Sequence, residues 1–595
     1  MTAAEQVPWQ AWGPAAFKLA QEQNRPIVLD LGAVWCHWCH VMDQTTYSDP
    51  EVIALIKDHF VPIKVDTDRR PDINSRYNQG GWPTTAFLAP MGELLVGFTY
   101  LPPEGMVRVL RQVHEHWQAN AGNIRQRLAA LRQRRRPGEE GRPGQRLEPR
   151  IVEEVLGALR SDFDGQYGGF GLEPKFPQAE AVRLLLEQAA VRRDGKLLEM
   201  ARKTLDGMLG LYDQVHGGLY RYAVNRQWSQ PHYEKRADVN AGAIENYVQL
   251  YQATGEDKCL EVVAGIIGYL GERLFQEEEG CFGASQDADV GSHDPTVQYV
   301  PGEAYFKLDA EGRGNYPEPY IDRTMYADAN AMLASALLRA YAVTAEGKWA
   351  ALGRQALDNT WAALHRPGGG VYHYLDADGP KVYGLLADQA LMLRALLDAY
   401  EILGELEYLE RAREVVAFMQ ESLADGDRGG YYDQPAEGAD RYGALAQRTK
   451  PLTDNAVAAE ALLRLHHLTG EQQYEQAARR TLEHFAGEYE HMGIFAAGYA
   501  NAVDCFLREP TRVVIVAGDD GQAAGELHRA ANSAYVPWKV VQLLEPERDR
   551  ARLADLRLPS EDKSAAYVCV GRTCTAITDA AKLKAALGGK EKTSD

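Results

Sequence analysis

The feature that most restricts the fold of this chain is a turn that recurs. "FDGQYGGFG" begins at residue 163, "YDQVHGGLYRY" at 212, "EEEGCFGASQDAD" at 277, "HRPGGGVYHYLD" at 365, "GDRGGYYD" at 426 and "HMGIFAAGY" at 491. Each is a glycine turn followed by aromatic or apolar residues, and the six copies lie roughly 50 to 90 residues apart. Between them run pairs of amphipathic segments with helical periodicity, such as "LLADQALMLRALLDAYEILG" followed by "LEYLERAREVVAFMQESL". The "TG" or "LG" between the members of a pair is a helix C-cap signal. A helix pair cannot bury its apolar face alone, so neighbours must stack to complete the core. Six pairs closed into a ring predict an all-α (α/α)6 toroid over residues 148–508, with the glycine–aromatic turns gathered at one mouth.

The mouth of such a ring collects polar side chains. "WSQPHYEKRADVNAGAIENY" offers Trp228, His232, Glu234, Asp238 and Asn240; "SQDAD" offers Asp287 and Asp289; "LLADQALM" offers Asp388; "KPLTDNAVAAE" offers Asp454; and Tyr222 lies nearby. Aromatic faces beside carboxylates suit a carbohydrate-like ligand. Glycoside hydrolysis needs two carboxylates, whereas epimerisation would move a proton between a pair of histidines, with His232 the first candidate and His216 and His373 weaker partners. The structural alternative is that these polar groups cap the inner helices and hydrogen-bond the turns.

The N-terminal part follows a different period. "PIVLDLGA" (26–33) and "FVPIKVDTD" (60–68) predict buried strands, "DPEVIALIKDHF" a helix capped by Asp49, "TTAFLAP" and "ELLVGFTYL" a hairpin, and "EGMVRVLRQVHEHW" a closing helix. This βαβ–ββα order places "CHWC" (36–39) at a strand-to-helix junction, where unpaired amides and the helix dipole favour an anion. A thiolate attacks a disulfide where a thiol does not, so Cys36 is assigned as nucleophile, Cys39 as the resolving thiol, and a protonated His37 as an aid to the thiolate. A zinc site would need two ligands beyond the cysteines. His37 and His40 adjoin the pair, and Cys569 and Cys574 form a C-x4-C far downstream, but no metal and no other cofactor is expected.

"VLDLGAVWCHWC" resembles the active-site strand of thioredoxin-like proteins. The resemblance implies that Asp30 relays the resolving thiol's proton, that Trp35 directly precedes the nucleophile, and that Pro83 in "GGWPTTAFL" is a cis-proline facing the dithiol. "CHWCHVM", "VPIKVDTDRRPDI", "GGWPTTAFL" and "HYEK" together resemble the spermatogenesis-associated protein 20-like family. That resemblance implies a thioredoxin-like domain preceding a six-hairpin glycosidase-like helical domain, the architecture also of N-acylglucosamine-type epimerases.

The expected organisation is multidomain: a thioredoxin-like α/β domain over 1–135, a Pro/Gly/charge linker over 136–147, the toroid over 148–508, and a small α/β segment over 509–595. In the last segment, "TRVVIVAG", "WKVVQLLE" and "AAYVCVG" predict strands and "GGKEKTSD" a disordered tail; Cys569 and Cys574 read first as a core thiol and a turn thiol, with a second dithiol or a partner for Cys36–Cys39 as the alternatives. The basic run "RQRLAALRQRRRP" is expected to be a solvated helix end. A net charge of −20, from 64 basic and 84 acidic residues, argues against nucleic acid or an anionic membrane as partner. Seven cysteines, an odd and low count, argue against a secreted disulfide framework, and the opening "MTAAEQVPWQAWG" lacks a basic and then apolar leader, so the cytoplasm is the expected compartment. The expected function is thiol–disulfide oxidoreduction on a protein or small-molecule disulfide, in a chain whose toroid binds or modifies a carbohydrate-like ligand. The alternatives are a glycoside hydrolase or epimerase with a structural thioredoxin domain, and a non-enzymatic binding or quality-control protein.

Overall fold

A computed structural model describes residues 6–134, 146–438, 441–559, 562–571 and 573–588. Most of the expected linker and tail therefore lies outside the described residues. The chain divides into two compact units, and the first draws on three stretches: the described residues of Met1–Glu140, Gln286–Asp322 and Asp433–Thr449. The remainder, from residue 141 onward, makes the second unit.

The first unit is built on a four-stranded sheet of order β2-β1-β3-β4, with α1 at Pro14–Gln23, β1 at Ile27–Gly32, α2 at His37–Gln44, α3 at Pro50–His59, β2 at Val61–Asp66, α4 at Pro71–Tyr77, β3 at Thr84–Leu88, β4 at Leu94–Phe98 and α5 at Pro103–Arg134. β1 pairs parallel with β2, as a connection through two helices requires, and antiparallel with β3. β1 is buried along its whole length, which is why it reads as an unbroken apolar run apart from Asp30. Asp49 caps α3 by accepting from the amides of Glu51 and Val52. α5 runs well past the helix read over 104–117 and carries the basic run as far as Arg134. The stretch 433–449 is held by Tyr77, whose hydroxyl donates to the Gly92 carbonyl at 2.7 Å and accepts from the Ala444 amide at 2.8 Å.

The second unit contains, among the described residues, a ring of six inner helices: Ala179–Arg192, Ala237–Thr254, Ala327–Thr344, Leu386–Leu403, Leu452–Thr469 and Ala497–Leu507. Each packs on the next, and the last packs back on the first. Outer partners such as Gln472–Phe485 bury one stripe, whereas the inner helix Leu386–Leu403 is buried on nearly all sides, as a helix enclosed by neighbours must be.

The recurring turns are one piece of geometry repeated. The residue before each turn bridges the residue after it in Phe163–Phe170, Tyr212–Leu219, Phe275–Phe282, His365–Val371 and Ala424–Tyr431. In three turns a buried lysine spans an aspartate and a glycine carbonyl: Lys175 with Asp164 and Gly168, Lys235 with Asp213 and Gly217, and Lys450 with Asp425 and Gly429. The first glycine of the pair lies in the left-handed region, with φ 73° at both Gly168 and Gly217, and a Cβ there would meet a backbone carbonyl at 2.3 and 2.2 Å. An amide at the fourth position of the following inner helix holds the residue after the turn: Asn240 holds Leu219, Asn330 holds Phe282, Gln389 holds Val371 and Asn455 holds Tyr431.

The C-terminal segment forms a sheet of strands Lys539–Leu544, Thr511–Val516, Ala565–Val570 and Thr573–Ile577, in that order. The fourth strand was not expected. It sets Cys574 opposite Cys569 in register, and the two form a disulfide, the second-dithiol alternative, in place of the separate core and turn thiols that sequence favoured. This sheet packs on the ring, where the Val541 amide donates to Glu401 Oε2 at 2.9 Å. No helix among the described residues is long and apolar enough to cross a membrane.

The Asp–Lys clamps give a stability test. Lys235 and Asp213 are both buried and 2.7 Å apart. Asp213→Ala leaves a buried ammonium without its counter-charge and is expected to cost about 3–5 kcal/mol, read as a lowered urea midpoint for loss of helical circular dichroism; an unchanged midpoint contradicts the clamp.

Candidate functional site

In the first unit β1 delivers the chain to a tight turn in which the Cys36 amide donates to the Ala33 carbonyl at 3.1 Å. Cys36 is the N-cap of α2, and its Sγ accepts from the Cys39 amide at 3.2 Å. The thiol that opens the helix thus meets one of the helix's free amides and the positive end of its dipole. Cys36 and Cys39 are paired as a disulfide with Cα atoms 5.2 Å apart. Trp35 is buried and donates from Nε1 to Asp68 Oδ2 at 2.6 Å, which ties the dithiol turn to the end of β2. The Trp82–Pro83 bond is cis, and because Leu31 pairs with Thr84, Pro83 stands level with the end of β1, where the dithiol turn begins.

Asp30 lies on the face of β1 shared with Gly32, whose position lies within 3.7 Å of Cys39 Sγ for an added Cβ. Burial pushes its carboxyl up to about 6, although Lys64 Nζ sits 3.2 Å away and pulls it down. Lys64 is its register partner on β2. Tyr47 adds a long hydroxyl contact of 3.4 Å. Asp66, paired with Gly32 at the end of β2, is pushed up to about 7 by burial and by the neighbouring Asp68.

Asp287 and Asp289 were expected at the mouth of the ring. They belong instead to the first unit, against α2. His37 Nδ1 is 2.7 Å from Asp289 Oδ2, which also accepts from the Tyr299 hydroxyl at 3.1 Å, while Asp289 Oδ1 accepts from the Gly302 amide. His40 points its Nε2 at Asp287 Oδ2, 2.9 Å away. His293 Nε2 reaches the same oxygen at 3.2 Å and the Val34 carbonyl at 2.7 Å. Burial alone would raise Asp287, but hydrogen bonds from His293 and His40 outweigh it and hold the carboxyl down at about 2. Burial disfavours charge on His293 as well, yet Asp287 and the Val34 carbonyl raise its pKa. Lys64, Asp66, His293 and Tyr299 were not singled out from sequence; the strand register that brings Lys64 beside Asp30 shows only in the structure.

In the second unit, His232 stacks on Tyr222 (ring centroids 4.4 Å apart, 12° between planes) and Tyr222 stacks on Phe176 (4.5 Å, 18°). Phe176, not anticipated, is 40% exposed and leaves the stack open at one end. Glu234 lies beneath it: Oε1 faces His232 at 3.4 Å and Arg221 at 3.5 Å, and the buried Oε2 has no hydrogen-bond partner among the described residues. Burial raises the Glu234 carboxyl, but His232 and Arg221 win and lower it.

Asp388 Oδ1 is 2.9 Å from His373 Nδ1, and its buried Oδ2 likewise has no hydrogen-bond partner. Other expected residues serve the ring itself. Asn240 spends its amide on Leu219 and Arg236, Asp238 pairs with Arg236, Asp454 sits beside Thr453 at a helix start, and Trp228 is buried against Gly169, Gly207 and Gly210. Among the described residues, two clusters have ligand atoms close enough together to hold a metal ion: His40 with Asp287 and His293, and Asp328 with His373 and Asp388.

These features define a thioredoxin-like domain joined in one chain to an (α/α)6 toroid built of six helical hairpins. Residues 1–135 match the family described as "Thioredox_DsbH: Protein of unknown function, DUF255". Nearly the whole chain, 97% of it, aligns with spermatogenesis-associated protein 20 of Homo sapiens at 27% identity, covering 89% of that protein, and with its Rattus norvegicus counterpart at 26%. The family resemblance carried by the motifs is thus borne out. Solved structures similar to this chain include a cellobiose 2-epimerase from Spirochaeta thermophila (16% identity, TM-score 0.48, 61% of this chain and 96% of that one) and a D-mannose isomerase (12%, 0.47, 60% and 96%).

Asp30 supplies a pH test. Its folded pKa of about 6 lies above its ordinary 3.8, so the native state holds the proton more tightly than the unfolded chain. The associated stability is present below about pH 4 and is lost as pH rises through about 6. Asp30→Asn is expected to flatten that part of the stability–pH curve relative to wild type; an unchanged slope contradicts the assignment.

Proposed function

We propose that the chain is a thiol–disulfide oxidoreductase acting through Cys36 and Cys39 in a reducing cytoplasm. The observation that carries this reading is the position of Cys36, at the N-cap of α2 with an amide on its sulfur and next to a histidine held by a buried carboxylate. Asp289 favours the imidazolium of His37, and a cation beside the helix start favours the thiolate. The Cys36 thiolate attacks one sulfur of a client disulfide, forms a mixed disulfide and expels the client's other sulfur as a thiolate. Cys39, deprotonated, then attacks Cys36 Sγ and releases the second client thiolate. Two electrons have passed to the client, the Cys36–Cys39 disulfide remains, and an external dithiol reduces it back to two thiols, itself leaving as a disulfide. Asp30, with a carboxyl near neutrality, is the acceptor for the Cys39 proton.

A second reading concerns the toroid, and the Phe176–Tyr222–His232 stack favours it. Three parallel rings open at one end, above a buried carboxylate oxygen with no partner, suit the apolar face and hydroxyl edge of a carbohydrate-like ligand. This ligand either reacts at Glu234 and His232 or is only held there.

Reduction of insulin by a dithiol, catalysed by the full chain, tests the first reading. Cys36→Ser is expected to abolish catalysis, and Cys39→Ser to accumulate the mixed disulfide. Equal rates for wild type and Cys36→Ser would overturn it. Asp289→Asn is expected to raise the pH at which Cys36 ionises, followed by the ultraviolet absorbance of the thiolate; an unshifted titration separates His37 from the mechanism. For the toroid, binding or turnover across a panel of mono- and disaccharides should be lost in Tyr222→Ala and Glu234→Gln and retained in Cys36→Ser.

A further inference from the structure

One carboxylate oxygen in the first unit is over-subscribed. Asp287 Oδ2 is approached by His40 Nε2 at 2.9 Å, by His293 Nε2 at 3.2 Å and by the Ser292 hydroxyl at 2.5 Å. Its neighbour Oδ1 receives only a backbone amide, from Asp289, at 3.3 Å. A carboxylate oxygen offers about two lone pairs, so three donors crowd one acceptor while the other is nearly idle. The side chain of Asp287 is fully buried, so the negative charge at this point is screened by protein groups and not by water.

We infer that His40, Asp287 and His293 form a binding site for a divalent transition-metal ion, with zinc the best match to the donor set. The ligand atoms already converge, all lying within 4.8 Å of one another. Tetrahedral zinc, with bonds of about 2.0–2.2 Å to nitrogen and oxygen, holds its ligand atoms about 3.4 Å apart. The separations of 2.9 and 3.2 Å to Asp287 Oδ2 are close to that edge. Two imidazoles and one carboxylate are a borderline nitrogen–oxygen set, which suits zinc and its neighbours better than magnesium or calcium.

Binding replaces the proton on each Nε2 with the ion and so removes two of the three competing donors. Asp287 Oδ2 then keeps the Ser292 hydroxyl as its single hydrogen-bond donor, which orients the ligating carboxylate. Two ligands are rigidly held, His40 on α2 and Asp287 in the buried segment, while the His293 side chain is 30% exposed. The exposed side leaves a fourth position to water, and the Val34 carbonyl, freed from His293, stands there as an acceptor.

The inference does not depend on the redox reading, because no ligand is a cysteine. Sequence raised zinc only around cysteine ligands, the C-x-x-C pair with His37 and His40 and the distant Cys569 and Cys574, and of these only His40 belongs to this site.

The test uses the full chain, stripped with a chelator, in a Cys36→Ser/Cys39→Ser background so that thiolates cannot supply the ligands. Titration calorimetry with Zn²⁺ is expected to show one equivalent bound. Co²⁺ in its place should give visible d–d bands without thiolate-to-metal charge transfer. His40→Ala and Asp287→Asn should each weaken Zn²⁺ binding by at least about 100-fold, more than changes to outer partners cost. His293→Ala, on an exposed loop where folding is not at stake, should weaken it as well. Absence of saturable Zn²⁺ binding in the cysteine-free background, or binding that survives His293→Ala and His40→Ala, would overturn the site.

Discussion

The hydrogen bond between His37 and Asp289 joins residues 252 positions apart, and the dithiol's surroundings depend on it. Side chains three apart on a helix share a face. His37 and His40 share a face of α2, and Asp287 and Asp289, in the bend that follows the strand Ser285–Gln286, meet them there, so two contacts form together. The closure entropy of so long a loop grows only logarithmically with its length. What favours the pairing is burial: both carboxylates have no exposed side-chain surface, and the imidazoles add to the neutral hydroxyl and amide donors the positive charge that best replaces lost hydration. The segment that carries them is therefore fixed to α2 by the same groups that set the charge around Cys36.

What sequence revealed, and what it hid, follows from separation along the chain. The strand–turn–helix around Cys36, the Asp49 cap and the glycine–aromatic turns are local patterns, and each is legible because its partners lie within a few residues. Asp287 and Asp289 have no local signature that separates them from acids at the ring mouth. They follow a glycine–aromatic turn of the same type as the others, and only the structure shows the chain leaving the ring there, at residue 286, to supply residues to the first unit. His293 and Tyr299 were invisible for the same reason: the stretch around them has no period, and its meaning lies in what it touches. The Cys569–Cys574 pair was misread because the fourth strand is mostly polar and exposed, and an exposed edge strand lacks the apolar alternation that marks a buried one.

In the ring, most of the polar residues at the inner-helix starts proved architectural. Asn240 and Asn455 satisfy the backbone of the turn before their helix with both halves of the amide, and Lys235 and Lys450 neutralise the aspartate that shapes it. A buried polar group whose hydrogen bonds are all met by the chain has nothing left for a ligand. By that measure Glu234 and Asp388 differ from their neighbours, because each keeps one buried carboxylate oxygen with no hydrogen-bond partner. Leaving such an atom unmatched costs free energy that folding alone gives no reason to spend. Unmet valence, and not charge or place on the helix, thus sets these two carboxylates apart from the polar groups at the inner-helix starts that hold the turns.

The same criterion explains why three buried acids near the dithiol behave in opposite ways. Asp30, Asp66 and Asp287 are all removed from water, and desolvation pushes each toward the neutral form. Asp66 has a like charge beside it in Asp68 and rises to about 7; Asp30 has one ammonium and rises only to about 6; Asp287 has two imidazoles and a hydroxyl and falls to about 2. Burial supplies the common term and donor count decides the sign. Around neutral pH the result is one fixed anion on the α2 side and two carboxyls on the strand side that exchange protons readily. A dithiol that must be a thiolate to attack and must shed a second proton to resolve needs both kinds of neighbour. On the oxidoreductase reading proposed above, the fixed anion holds the adjacent histidines in place and the titrating acid takes the proton that Cys39 gives up. The fold delivers the first from a segment some 250 residues away and the second from the strand that carries the dithiol itself.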